Sequence, residues 1–259
     1  MSGHLVEVSV VDGIARLILN RPERRNALSL NLLENLQSAL TELASSTEAR
    51  VVVVSGAGVA FSAGHDLSEM VGRDHRFYDD LFSICTEVML SIQAMPQPVI
   101  AQVNGVATAA GCQLVAACDL AVAVETSTFA TPGVKIGLFC STPMVPLSRA
   151  IGRKRAMEML LTGDPIDAAR AYEWGLINAI VPEDELDSAV MDLAQRIMRY
   201  SSAVIGMGKN TFYEQIQAAD RDAYRIAQPV MSTNAQHPDA AEGMRAFLAK
   251  RPPDWPSQR

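Results

Sequence analysis

Apolar positions fall in short β-branched runs through the first half of the chain and at helical spacing through most of the second. Val6–Val10 and Ile14–Leu19 flank Asp12-Gly13, the pattern of a hairpin. Leu32, Leu33, Leu36, Leu40 and Leu43 form one helical stripe, and Ser29 stands where an N-cap is wanted. Val51–Val54 reads as a buried strand, followed by Ser55 and the turn Gly56-Ala57-Gly58. A helix is predicted over 77–94 and is punctuated by Pro96 and Pro98. The strand Val99–Val103, a small-residue helix over 109–118 and the strand Leu120–Val124 follow. Such alternation with short turns predicts an α/β fold with a largely buried sheet. After Thr142 the pattern is mostly helical: 153–161, 167–174, 184–200, 201–217, 220–232, and a last helix from Pro238 that ends before Arg251. A loose boundary near 195–202 separates a core of residues 1–195 from a helical region, 196–259, of the same fold.

Composition narrows the classes. With 259 residues, 49% of them hydrophobic, the chain can bury a full core. It has no run of about 18 apolar residues, so no membrane span is expected. The formal charge of −7 argues against nucleic acid as a partner. Cys85, Cys112, Cys118 and Cys140 lack metal-site spacing and read as reduced, mostly buried thiols. Met1 to Val10 carries Glu7 and has neither a basic start nor a long apolar stretch, so no secretory signal is expected. A cytoplasmic location is the resulting expectation.

Two stretches carry the chemistry: Ala60-Phe-Ser-Ala-Gly-His-Asp-Leu67 and Val103-Asn-Gly-Val-Ala-Thr-Ala-Ala-Gly-Cys-Gln-Leu114. Each runs from an apolar strand through small residues into a helix start, where backbone N–H groups point outward with the positive end of the helix dipole behind them. Two such turns facing each other would hold a developing negative oxygen, such as that of a thioester enolate.

These stretches resemble the crotonase (enoyl-CoA hydratase/isomerase) superfamily. So do Asn20-Arg-Pro-Glu-Arg-Arg-Asn-Ala-Leu28, Leu161-Thr-Gly-Asp164, Gly175-Leu-Ile-Asn178 and Glu242-Gly-Met-Arg-Ala-Phe-Leu-Ala-Lys250, in order along nearly the whole chain. The segment Phe129 to Pro143 looks most like a divergent branch, the enoyl-CoA hydratase domain-containing proteins. The resemblance implies a spiral of ββα units with a C-terminal helical region that builds homotrimers or hexamers. It assigns the oxyanion donors to the backbone N–H groups of His65 and Ala110. Hydratases of the family hold two glutamates, and the matching positions here are Gln113 and Gly133. A glutamine cannot take a proton from water near neutral pH and a glycine offers nothing, so weak hydratase turnover is expected.

Other side chains stand near the two turns. The His65 imidazole lies beside the pocket and titrates in a useful range, or it is a polar ring on a surface turn. Methylmalonyl-CoA decarboxylases of the family also show Gly-His-Asp here, with a tyrosine near the place of Cys140. Asp66 reads as a helix cap more than a catalytic group. Cys140, Ser141 and Thr142 would line an acyl pocket, Cys140 as a small packing residue more than a nucleophile. Arg21, Arg24 and Arg25 form a basic cluster, and the resemblance places Arg24 and Arg25 against the phosphates of coenzyme A. It places Ala63 and Asp66 by the adenine through backbone contacts, and Phe247 and Lys250 reaching toward the cofactor end from the last helix, often of a neighbouring subunit. The alternatives are a solvated basic turn, an apolar anchor and a surface lysine. Coenzyme A enters only as part of the thioester, with no tightly bound cofactor and no metal. The function expected is thioester binding in fatty-acid metabolism. The alternatives are an active lyase (hydratase or decarboxylase) using groups such as His65, and a non-catalytic carrier or structural partner.

Overall fold

The computed structural model describes residues 4–258. Strands β1 (Val6–Val11) and β2 (Ile14–Leu19) form the predicted hairpin around Asp12-Gly13, with Val6 opposite Leu19. Helix α1 (Leu30–Ala44) starts at the predicted cap, where Ser29 Oγ accepts from the N–H of Leu32 at 3.2 Å. The chain then repeats a unit of two strands and a helical segment. The pairs are β3 (Val51–Gly56) with β4 (Ala60–Ser62), β5 (Val99–Val103) with β6 (Val106–Thr108), and β7 (Leu120–Val124) with β8 (Thr128–Ala130). Helices α2 (Leu67–Met70) and α3 (His75–Ala94) follow the first pair, and α4 (Ala110–Ala117) follows the second.

In each pair the first strand joins one sheet and the second joins another. The long sheet has the order β1-β2-β3-β5-β7-β10, the last strand being Ala179–Val181; the short one runs β4-β6-β8-β9, with β9 at Ile166–Asp167. All long-sheet contacts beyond the hairpin are parallel, which is why Val51–Val54 and Val99–Ile100 are apolar on both faces. This is the expected spiral of ββα units. The three-residue strands of the second sheet were not predicted, because three residues cannot display an alternation.

One face of the long sheet packs with α1, α3 and α4 around Leu17, Val52, Val54 and Ala101. The other face, with Val51, Val53 and Ile100, is covered by Leu186, Val190 and Ala194 of α8 (Leu186–Met198). Helices α5 (Met144–Ile151), α6 (Arg153–Thr162) and α7 (Ala168–Trp174) come between β8 and β10. Helix α9 (Ser202–Gln215) is clamped to the core by a buried ion pair. Lys209 Nζ meets Asp119 Oδ2 at 2.6 Å and the carbonyls of Ile92 and Gln97, while the Tyr213 hydroxyl donates to Asp119 Oδ1 at 2.8 Å. Helix α10 (Asp220–Ala235) outruns its predicted end at 232 despite Pro229, and none of its residues is fully buried within its own chain. Helix α11 (Pro238–Leu248) begins at the predicted proline. No helix among the described residues is long and apolar enough to cross a membrane.

Candidate functional site

The loop after β2 is threaded onto the turn after β4. Asn26, fully buried at φ +52°, accepts from the Arg21 N–H and donates to the carbonyls of Ala57 and Ala60. The Ala63 N–H donates to Arg25 O, Leu28 N–H to Gly64 O at 2.7 Å, and Asp66 N–H to Leu28 O. Ser62 Oγ donates to Asn26 O and accepts from the Gly64 N–H. Every amide of this turn from Ala63 to Asp66 is thus taken except that of His65.

The second turn is built differently. Ala109 takes φ +51°, a costly conformation for a residue with a Cβ, and serves as the boundary of α4 instead of its first helical residue. Its N–H donates to Ala130 O, and its carbonyl accepts from the Gln113 N–H. The N–H of Ala110 is left at the helix start. Among the described residues no acceptor meets the N–H of either His65 or Ala110.

Glycines bring the two turns together. Gly64 is at φ +84°, and a methyl group there would sit 2.8 Å from Ala109 Cβ and 3.2 Å from Ala110 N. One at Gly111 would lie 2.4 Å from Ser62 O. The turns therefore touch backbone to backbone, with the free amides on adjoining residues.

His65 departs from both sequence expectations. Its ring is turned inward, packing edge-on against Phe82 with centroids 5.4 Å apart, and Nδ1 lies 3.4 Å from Leu28 O. Burial pushes its pKa down to about 4, against a small opposing effect of the Leu28 carbonyl. It is neither a surface ring nor a group that titrates near neutrality. Phe82, a member of this contact, was not singled out from the sequence; its place on the face of α3 is visible only once that helix is packed.

Gln113, 3% exposed, lies one turn after Ala110 and lines a largely apolar cavity of about 730 Å³. Thr86 and Met89 of α3, Val145 of α5 and Phe212 of α9 form parts of its wall; Ser141 and Thr142 reach it, but Cys140, expected beside them, is not among its lining residues. Gly133 is closed off. A methyl group there would meet Cys140 Sγ and Leu138 O, each at 2.9 Å. Burial raises the Cys140 thiol above its usual range, outweighing a hydrogen bond with the Gly133 backbone, which disfavours the thiolate a nucleophile would need. All four cysteines are free and buried.

Asp66 caps α2, accepting from Ser68 N–H at 3.1 Å and Ser68 Oγ at 2.6 Å. Burial pushes its carboxyl up, but these bonds and Arg21 at 3.0 Å outweigh it and hold it below the usual range. Arg21 thus leaves the basic cluster: its other nitrogen donates to Ala27 O. Arg24 and Arg25 remain exposed, without an acidic partner among the described residues. Phe247 is 83% exposed near the end of α11, and the exposed Lys250 follows at φ +53°. In a single chain neither is buried against its own core. No group of three metal-ligating side chains occurs among the described residues.

Comparison with known proteins places this geometry among relatives. The Enoyl-CoA hydratase/isomerase family matches residues 10–258. The mouse protein named enoyl-CoA hydratase domain-containing protein 3, mitochondrial, is 49% identical over 247 residues, covering 94% of this chain and 82% of its own. A crystal structure of an enoyl-CoA hydratase from Mycobacterium smegmatis superposes with a TM-score of 0.96 at 46% identity, covering 98% of this chain and 99% of that one. The human enoyl-CoA hydratase domain-containing protein 3 gives 0.94 at 46% identity, with coverage of 97% and 100%. The cytoplasmic expectation is corrected by the names of five vertebrate relatives at 47–49% identity, all called mitochondrial. An address of that kind is a property of the relatives' names that the pattern of residues did not suggest.

Proposed function

Because the chain belongs to the enoyl-CoA hydratase/isomerase family, we propose that it binds acyl-CoA thioesters without acting as an efficient hydratase. The observation that carries this reading is the pair of free amides on touching turns, His65 and Ala110, one helical turn from Gln113, which lines the cavity, with no carboxylate at position 113 or 133. The two N–H groups would hold the thioester oxygen, and the acyl chain would pass Gln113 into the cavity. Arg24 and Arg25 would meet the phosphates at the nucleotide end, with Ala63 and Asp66 flanking the adenine. Phe247 and Lys250, exposed in one chain, would approach the ligand from a neighbouring copy. Helix α10, none of whose residues is fully buried in its own chain, supports a homotrimer or a dimer of trimers. Coenzyme A would be carried as part of the ligand, and the setting would be fatty-acid metabolism.

Chemically, such a site binds and polarises. Hydration adds water across a conjugated thioester, and it needs a group to take the water proton and another to deliver one to the α-carbon. Gln113 can orient water but not deprotonate it, and the Gly133 position holds sulfur from Cys140 in place of an acid. The amides alone lower the cost of negative charge on oxygen.

The hydratase name of the mycobacterial relative favours a second reading, turnover through other groups. His65 is a weak candidate for that work, since burial keeps its ring neutral and it takes up a second proton only below about pH 4. Crotonyl-CoA decides between the readings, with loss of conjugated absorbance followed beside calorimetric titration. Saturable binding with hydration near the uncatalysed rate is expected. Hydration well above it overturns the non-hydratase reading, and absence of binding overturns the thioester site.

A further inference from the structure

The cavity beside α4 is open to the surface. It follows that helix from Gln113 past Cys118 to Leu120, with the buried Met89, Val115 and Leu176 in its walls. Leu90, Val145, Phe212 and Ile216 line it too, yet each is about half exposed, so they form a mouth between α3, α5 and α9. Large apolar side chains gathered around an opening favour a ligand that takes them out of water. The volume, about 730 Å³, is that of a small-molecule site.

Charge identifies the other end of such a ligand. Among the described residues of the wall only Asp119 and Arg149 are charged. Asp119 is compensated: Lys209 Nζ lies 2.6 Å from its Oδ2, the Val99 N–H donates to the same oxygen, and the Tyr213 hydroxyl donates to Oδ1. Arg149 is not. It is exposed on α5, one of its nitrogens donates to Val145 O at 2.8 Å, and no acid meets it among the described residues. A guanidinium is a planar fork of several N–H donors, so most of them stay available for a carboxylate. The wall thus carries one uncompensated cation, a helical turn from Val145 at the mouth.

An apolar cavity with a single cation at its opening suits an amphiphile with one anionic end. The chain of a plain acyl thioester is apolar throughout and offers nothing to Arg149, and a neutral amphiphile leaves the cation unpaired. We propose that the cavity is a binding site for a free fatty carboxylate, with its alkyl chain along Met89, Val115 and Phe212 and its carboxylate held by Arg149 at the mouth. The site does not depend on the thioester reading, although a fatty acid lodged there would exclude the acyl chain of a thioester from the same space.

The test is calorimetric titration of the full-length protein with decanoate, hexanoate and 1-decanol. Decanoate is expected to bind saturably and about tenfold or more tighter than hexanoate, because each buried methylene adds affinity. It should also bind about fivefold tighter than decanol, the advantage of pairing a carboxylate with an arginine at a half-apolar rim. Arg149→Gln removes an exposed charge and one backbone bond, so the fold should survive; the advantage should vanish while decanol still binds. Equal binding of decanoate and decanol by the native protein overturns the proposal, as does a variant that keeps the preference. The same carboxylate would also be found at the far end of a dicarboxylic thioester, so decanedioyl-CoA and decanoyl-CoA are compared in parallel. An Arg149-dependent advantage of the former, without binding of decanoate, overturns the free ligand. A second copy of the chain is the remaining occupant. If Phe212→Glu splits the native assembly and the native protein does not bind decanoate, the mouth belongs to that copy and the proposal falls.

Discussion

The two sides of the site are made by opposite means. On one side the backbone is exposed by subtraction: Gly64 and Gly111 have no Cβ, so the turns ending at His65 and Ala110 touch and leave their amides free. On the other side a glycine exposes nothing, because Cys140 Sγ and Leu138 O occupy the space a side chain at 133 would take. The same residue type opens one wall and seals the other, and only the neighbours decide which. A small residue is therefore informative about a site only through what its missing side chain would have met.

The largest effect should come from breaking the open side. Alanine normally strengthens a helix relative to glycine by about 0.5–1 kcal/mol. In Gly111→Ala the new Cβ meets Ser62 O at 2.4 Å. The clash should win, with a loss of about 3 kcal/mol or more in chemical denaturation and of thioester binding. A stabilised variant would show that the turns do not touch.

Next comes proton linkage at His65. Its folded pKa is depressed from 6.5 to about 4, so the unfolded chain takes up a proton first as pH falls. Stability is full above about pH 6.5 and is lost between there and pH 4, by no more than about 3 kcal/mol. His65→Phe should flatten that part of the profile of melting temperature against pH. An unchanged slope would place the ring in water.

Gly133→Glu probes the sealed side and should cost about 1–3 kcal/mol through overpacking, without raising crotonyl-CoA hydration. A gain in hydration would mean that Cys140 yields its place. Smallest of all, Cys140→Ala removes one buried sulfur and should cost about 1 kcal/mol, leaving thioester binding unchanged. Loss of binding in that variant would mark the thiol as part of the ligand site.

The strands of the long sheet were readable because each is an apolar run long enough to show its pattern, and Ser29 was readable because a cap acts within three residues. Asp66 was readable for the same reason. Its ion pair with Arg21 was not: the residues are 45 positions apart and meet only after the loop at Asn26 folds onto the turn. The second sheet escaped because β4, β6 and β8 have three residues each. The two motifs located the free amides, since turn geometry needs only small residues in sequence. The state of His65 lay beyond reach, being set by Phe82 and Leu28 from separate elements. Filling of the Gly133 space by Cys140 is likewise a fact of packing across a loop.

The contact between Gly133 and Cys140 also bears on descent. An acid placed at 133 by a single substitution would crowd Cys140 and Leu138 in the core. Two substitutions would have to arrive together, or the loop from Ile136 to Ser141 would have to shift first. Selection acting one step at a time meets a valley there.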